Sequence, residues 1–120
     1  MVLYRPVGEK EWQWIHDSGC KRFPPCLPEQ PIFSPILDYD YACQIARDWN
    51  SKEPRNGLVG YVTQFRIDGR FARRYPVHTV GAENQRELLV SAAELEEFNN
   101  RIDGYIEVIA EFRLEPDLSC

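Results

Sequence analysis

Between Lys21 and Pro35 the chain reads KRFPPCLPEQPIFSP, with prolines at positions 24, 25, 28, 31 and 35. Each proline fixes its own φ, removes an amide donor and disfavours helix at the residue before it. The segment therefore cannot be a helix interior or a central strand. It must be a long, stiff connection, and connections of this length without regular structure are uncommon in compact domains and often functional.

On its N-terminal side, VLYRPV is rich in β-formers and predicts a first strand closed by its proline. GEKEWQWIHDSG predicts a helix of two to three turns, acidic in its first turn, with Trp12 and Ile15 three apart and Gly19 as its stop. After the prolines, Asp38 is placed to cap a helix running through Trp49. Leu37, Tyr41, Ile45 and Trp49 recur every four residues there, and Ala42 and Ala46 beside them suit close packing on a sheet.

SKEPRNG reads as a break, and LVGYVTQFRID as a strand with Val59, Tyr61, Thr63, Phe65 and Ile67 on one face. A short helix or irregular turn is expected around Phe71–Tyr75, stopped by Pro76, followed by a strand in RELLV. Ser91 and Glu94 form a capping-box pattern for a helix to about Asn99, and Asp103-Gly104 marks a turn. YIEVIAEFRL alternates Ile106, Val108, Ala110 and Phe112 against Glu107, Glu111 and Arg113, as a half-exposed strand does. Residues 116–120 are expected to form a loose tail.

Helices come early and strands late, with no repeated β-α unit. This is an α+β pattern: one domain over residues 1–115, with a twisted, mainly antiparallel sheet and two or three short helices. A chain of 120 residues, 43% hydrophobic, supports one such core. The expected core includes Ile45, Val59, Tyr61, Phe65, Val108 and Ala110.

The net charge of −5 argues against a general nucleic-acid or membrane-surface binder. No apolar run approaches the roughly 18 residues of a membrane span, and the start lacks a signal-peptide core, so a cytoplasmic protein is expected. Cys20, Cys26, Cys43 and Cys120 contain no C-x-x-C pair, and the spacing of His16, Cys20 and Cys26 matches no common zinc module. Phosphate-loop, H-E-x-x-H and G-x-S-x-G motifs are absent from the sequence. Arg66, Arg70, Arg73 and Arg74, interleaved with Phe71 and Tyr75, are either a phosphate grip or a solvated turn. His78 reads as structural or as a polar neighbour of a pocket.

The stretch GAENQRELLV carries an amide and a carboxylate, Gln85 and Glu87, two apart and so on one face of a strand. With Arg5 in the first strand, this order resembles the mono-ADP-ribosyltransferases, in which a strand arginine holds NAD and a Q-x-E glutamate drives catalysis. PIFSPILDYDYACQIARDW is similar to the segment that lines their nicotinamide pocket, with Phe33, Ser34 and Tyr41 at the matching positions. Over nearly its whole length the chain also resembles small bacterial proteins labelled ADP-ribosylation/crystallin J1, through LYRPVG, FPPCLPEQPIFSPIL, IARDWN and ELEEFNNRIDGYIEVI.

The resemblance implies NAD as substrate and a protein acceptor or partner. Arg5 would lie on the diphosphate, with Phe33, Ser34 and Tyr41 around the nicotinamide. Glu87 would face the ribose to stabilise an oxocarbenium-like transition state, and Gln85 would orient the nucleophile. The alternative is a non-catalytic interaction module, either a degenerate transferase fold or a toxin-system partner, using the proline loop and the acidic ELEE helix.

Overall fold

β3 (Val59–Ile67) is the centre of the protein, flanked antiparallel by β1 (Val2–Val7) and β7 (Ile102–Arg113). The computed structural model describes residues 1–26, 31–53 and 57–113, so the expected tail lies outside the described residues. The other elements are α1 (Glu9–Asp17), β2 (Ile32–Phe33), α2 (Tyr39–Asp48), α3 (Gly69–Ala72), β4 (Val77–Thr79), β5 (Arg86–Leu88), β6 (Val90–Ser91) and α4 (Leu95–Asn100). β2 pairs with β6 and β4 with β5, again antiparallel. The result is a single-domain α+β fold with few, short helices; α3 is a single turn.

A one-residue rung extends the main sheet. Ile36 exchanges both backbone hydrogen bonds with Tyr4, at 2.9 and 2.7 Å. On its other side Ile36 bridges to Glu87, flanked by bonds from Leu88 N–H to Pro35 O and from Leu37 N–H to Arg86 O. The sheet therefore runs β7-β3-β1-Ile36-β5-β4. The proline segment supplies that rung because its residues already prefer extended backbone.

Both faces of this sheet are covered. On one face Leu3, Val7, Phe65 and Ile67 meet Ile15 of α1, Phe71 of α3, Phe98 of α4, and Phe23 and Phe33 from the proline segment. The rings pack edge-on or tilted, Phe23–Phe33 at 4.9 Å, Phe23–Phe65 at 5.0 Å and Phe33–Phe98 at 5.6 Å between centroids. Each buried phenylalanine contributes about 2–3 kcal/mol of transfer free energy, so this aromatic layer is the main hydrophobic anchor. On the other face Ala42 and Ala46 of α2 pack on Val62 and Ile36. Small residues there let the helix backbone sit directly on the sheet, and a Cβ on Gly60 would overlap the Ala46 carbonyl.

The expected face of β3 is present: Val59 is buried, Phe65 and Ile67 are buried in the aromatic core and Tyr61 packs against it. Thr63 is also buried, its hydroxyl donating to Arg5 O at 2.8 Å. β7 departs from the simple alternation. Ala110 pairs with Val62 but Val108 pairs with Thr63, leaving Ile109 as an unpaired extra residue. That bulge switches the phase, so Ile106 joins the aromatic core while Ala110 and Phe112 pack on the α2 side. Val108, expected in the core, opposes Thr63 in phase with Ile106 but is 36% exposed on this edge strand.

Other boundaries differ for identifiable reasons. Trp49, expected in the α2 stripe, is 72% exposed because the buried face is centred on Ala42 and Ala46. RELLV is two strands, β5 and β6, with different partners. Asp103-Gly104 does not end a strand but bends β7, with Gly104 at φ +76° where a side chain would be strained. The Ser91 hydroxyl donates to Glu94 Oε1 at 2.7 Å instead of accepting from a helix amide, and a 3₁₀ turn over Ala92–Glu94 precedes α4. Gly19, at φ +83°, terminates α1 as expected.

Candidate functional site

The sheet decides which of the sequence-predicted site residues meet. Along β1, Leu3, Arg5 and Val7 alternate with Tyr4 and Pro6, so Arg5 shares the aromatic-core face with Leu3 and Val7. Its guanidinium lies over the Phe33 ring, 4.9 Å from the centroid, and pairs with Glu11 of α1 at 3.0 and 3.3 Å. Tyr4 faces the α2 side. Residues directly opposed in an antiparallel ladder share a face. Tyr4 opposes Ile36 and Ile36 opposes Glu87, which puts Glu87 on the α2 side as well.

Arg5 and Glu87 therefore lie on opposite faces of the sheet, two strand positions apart. Phe33 and Tyr41 divide the same way: Phe33 is 3% exposed inside the aromatic core, and Tyr41 lies against the α2-side core. Ser34 is half-buried in the connection between β2 and the Ile36 rung. The six residues expected to line one nucleotide cleft do not converge.

Each residue of the Gln85-Arg86-Glu87 stretch has a local partner instead. Gln85 closes the β4–β5 turn: its side-chain carbonyl accepts from Ala82 N–H at 3.1 Å, and its backbone bonds to Ala82 and Val80. Arg86 grips Asp38 at the start of α2, with Nε donating at 3.1 Å, Nη2 at 2.8 Å and its backbone N–H at 2.9 Å. These bonds hold the Asp38 carboxyl below its usual range. Asp38 thus spends its side chain on the hairpin instead of capping α2. Glu87 Oε1 lies 3.1 Å from His78 Nδ1 across the β4–β5 ladder. Burial raises the Tyr41 hydroxyl, and the charge of Glu87 raises it further. The neighbouring Tyr39 is also raised, first by its hydrogen bond with Cys43.

A different concavity lies on the aromatic-core side. A cleft of about 440 Å³ opens between the turn after α1, the end of α4 and the start of β7, lined by Ser18, Lys21, Arg22, Asn99, Asn100 and Tyr105 among others. Among the described residues no carboxylate lines it. An adjoining depression of about 270 Å³ shares Arg22 and Asn99 and is walled by Trp14, Phe23, Pro25 and Leu95. Sequence reading passed over this cleft. Its signal was the Lys21-Arg22 pair directly ahead of the prolines, but Asn100 and Tyr105, far along the chain, give no local sign that they join it.

Comparison of the chain with protein-family models, curated proteins and solved structures gave no match. Function therefore rests on the geometry. Among the described residues no group of three or more histidine, cysteine or acidic side chains is placed to hold a metal ion, and no helix is long and apolar enough to cross a membrane.

Proposed function

We propose that this chain is a non-catalytic protein-binding module and not a working ADP-ribosyltransferase. The observation that carries the reading is the placement of Arg5 and Glu87 on opposite faces of one sheet. An NAD-cleaving site needs the diphosphate anchor and the ribose-facing carboxylate around one ligand, within the tolerance that preorganised catalysis demands. Arg5 is also committed to Glu11 and Phe33, and Phe33 could reach a nicotinamide ring only by leaving the aromatic core.

The partner-binding surface we favour is β7. It is twelve residues long and its only partner strand among the described residues is β3, with Ile106 N–H held by Cys20 O, whereas the opposite edge strand β4 has three. A long edge with unpaired backbone groups accepts an extended strand from a partner. Tyr105, Val108 and Ile109 are exposed along it, and Glu107, Glu111 and Arg113 interrupt them. The bulge and the charges restrict which strand can add in register.

NAD titration followed by chemical shifts, with free nicotinamide monitored over hours, tests the reading. At millimolar NAD no saturable shifts at Arg5 or Glu87 and no nicotinamide are expected. Nicotinamide release that Glu87→Ala abolishes would overturn it in favour of the transferase. A photo-crosslinking residue at position 109 should trap a discrete polypeptide in cells that make the full chain, and one at position 73 should not.

A further inference from the structure

We propose that the cleft between Ser18 and Tyr105 binds the phosphate group of a small ligand. The chain carries a net charge of −5, yet among the described residues this cleft presents two cations and no acid. Carboxylates enter only in the adjoining depressions: Glu96 beside Leu95, and Asp103 and Glu107 beside Gln64.

Lys21 and Arg22, like Arg74 and Arg101 over the Phe71 ring, are held by neutral groups. Arg5, Arg47, Arg86 and Arg113 are each neutralised by a carboxylate. Lys21 instead lies over the Tyr105 ring, 5.4 Å from its centroid, and Arg22 donates through Nη1 to the amide oxygen of Asn100 at 2.8 Å. Neutral partners fix both heads and leave their charge uncompensated. Arg22 keeps its other guanidinium donors, Asn100 keeps its amide N–H₂ and Lys21 keeps its ammonium protons. Two monocations match a phosphate dianion, and the guanidinium fork suits its tetrahedral oxygens.

The turn that carries them is rigid. The Ser18 hydroxyl accepts from Lys21 N–H at 3.4 Å and Arg22 N–H at 3.2 Å while donating to Ile15 O at 2.6 Å. Cys20 adopts φ +61°, a left-handed conformation that costs a non-glycine residue energy, and its carbonyl is tied to Ile106 N–H at 2.7 Å. Strain held in place by a β7 contact sets Lys21 over the cleft before any ligand arrives, which lowers the ordering cost of binding. The adjoining Trp14–Pro25–Leu95 depression offers room for the organic body of a phosphate monoester.

The test is a titration of the ¹⁵N-labelled chain at low ionic strength with inorganic phosphate, phenyl phosphate and acetate. Saturable shifts are expected at Ser18, Lys21, Arg22, Asn100 and Tyr105 with both phosphates. Lys21→Met and Arg22→Met should each weaken binding about tenfold, the scale of one charge-assisted hydrogen bond, and Arg113→Met should not. Their amide spectra away from the cleft verify that the variants remain folded. Tighter binding of phenyl phosphate assigns the site to an organic monoester, and equal binding assigns it to free phosphate. Absence of saturation, acetate binding as tight as phosphate, or affinity unchanged in Lys21→Met and Arg22→Met overturns the proposal.

Discussion

Arg86 holds Asp38 through two side-chain nitrogens, Nε and Nη2, and its own backbone amide, joining the β4–β5 hairpin to the first turn of α2. The Asp38 side chain is 16% exposed but its Arg86 partner is 46% exposed, so solvent screens part of this contact. Because the folded-state value of the Asp38 carboxyl is depressed by Arg86, its contribution to stability is present above the unfolded value. It is lost as pH falls below about 4 and through the folded value. Asp38→Asn should therefore be less stable than the parent at neutral pH, with the difference closing in acid. Urea unfolding at a series of pH values measures this.

A second fastening joins Asn99 of α4 to the proline segment. Its side-chain oxygen accepts from Phe23 N–H at 2.9 Å and its NH₂ donates to Phe23 O at 3.0 Å, with the residue 7% exposed. Asn99→Ala removes both partners and leaves two buried backbone groups unpaired. A loss of about 2–4 kcal/mol in unfolding free energy is expected. Asn99→Asp, which keeps the acceptor but loses the donor to Phe23 O, should also destabilise.

Gly60→Ala probes the packing of α2 on β3. The new methyl would meet the Ala46 carbonyl, backbone against backbone, so no side-chain rotation relieves the overlap. A cost of about 3 kcal/mol is expected from overpacking. It should show as a lower urea midpoint with an unchanged slope.

These contacts mark what local pattern could and could not reveal. Gly19 as the stop of α1, and the Val59–Ile67 face, follow from residue type and period, and both are present. Within β5, the alternation that separates Glu87 from Leu88 was equally readable. Which face of the sheet Glu87 takes relative to Arg5 was not, because it depends on Ile36, a single rung in a proline-rich stretch without a strand pattern. Ala110 and Phe112 were grouped with Ile106 and Val108 for a related reason: one unpaired residue, Ile109, reverses the phase of β7, and its apolar side chain looks like any other. Pairing partners are non-local, and they set the face.

On the alkaline side Tyr75 should limit stability. It is 6% exposed in the aromatic core, and burial, followed by the charges of Glu94 and Glu97, pushes its hydroxyl above the usual range. The unfolded chain then releases this proton at lower pH than the folded one, so the native advantage is full below about pH 10 and declines above it. Tyr75→Phe should flatten that decline. Stability measured between neutral pH and about pH 11 reads the slope.

The separation of Arg5 from Glu87 gives the last prediction, which needs no ligand. Two residues of one site, or of one ion-pair network, couple energetically when both are replaced, by about 0.5–3 kcal/mol. Arg5 answers to Glu11 and Phe33, and Glu87 to His78 and Tyr41; the two sets share no member and lie on opposite sides of the sheet. Arg5→Met and Glu87→Gln should therefore destabilise additively, to within about 0.5 kcal/mol. Arg5→Met with Glu11→Gln should couple measurably, since either change alone leaves a half-buried charge without its partner. A coupling between Arg5 and Glu87 as large as that between Arg5 and Glu11 would mean that the strand connection through Ile36 is not the one the chain uses in solution.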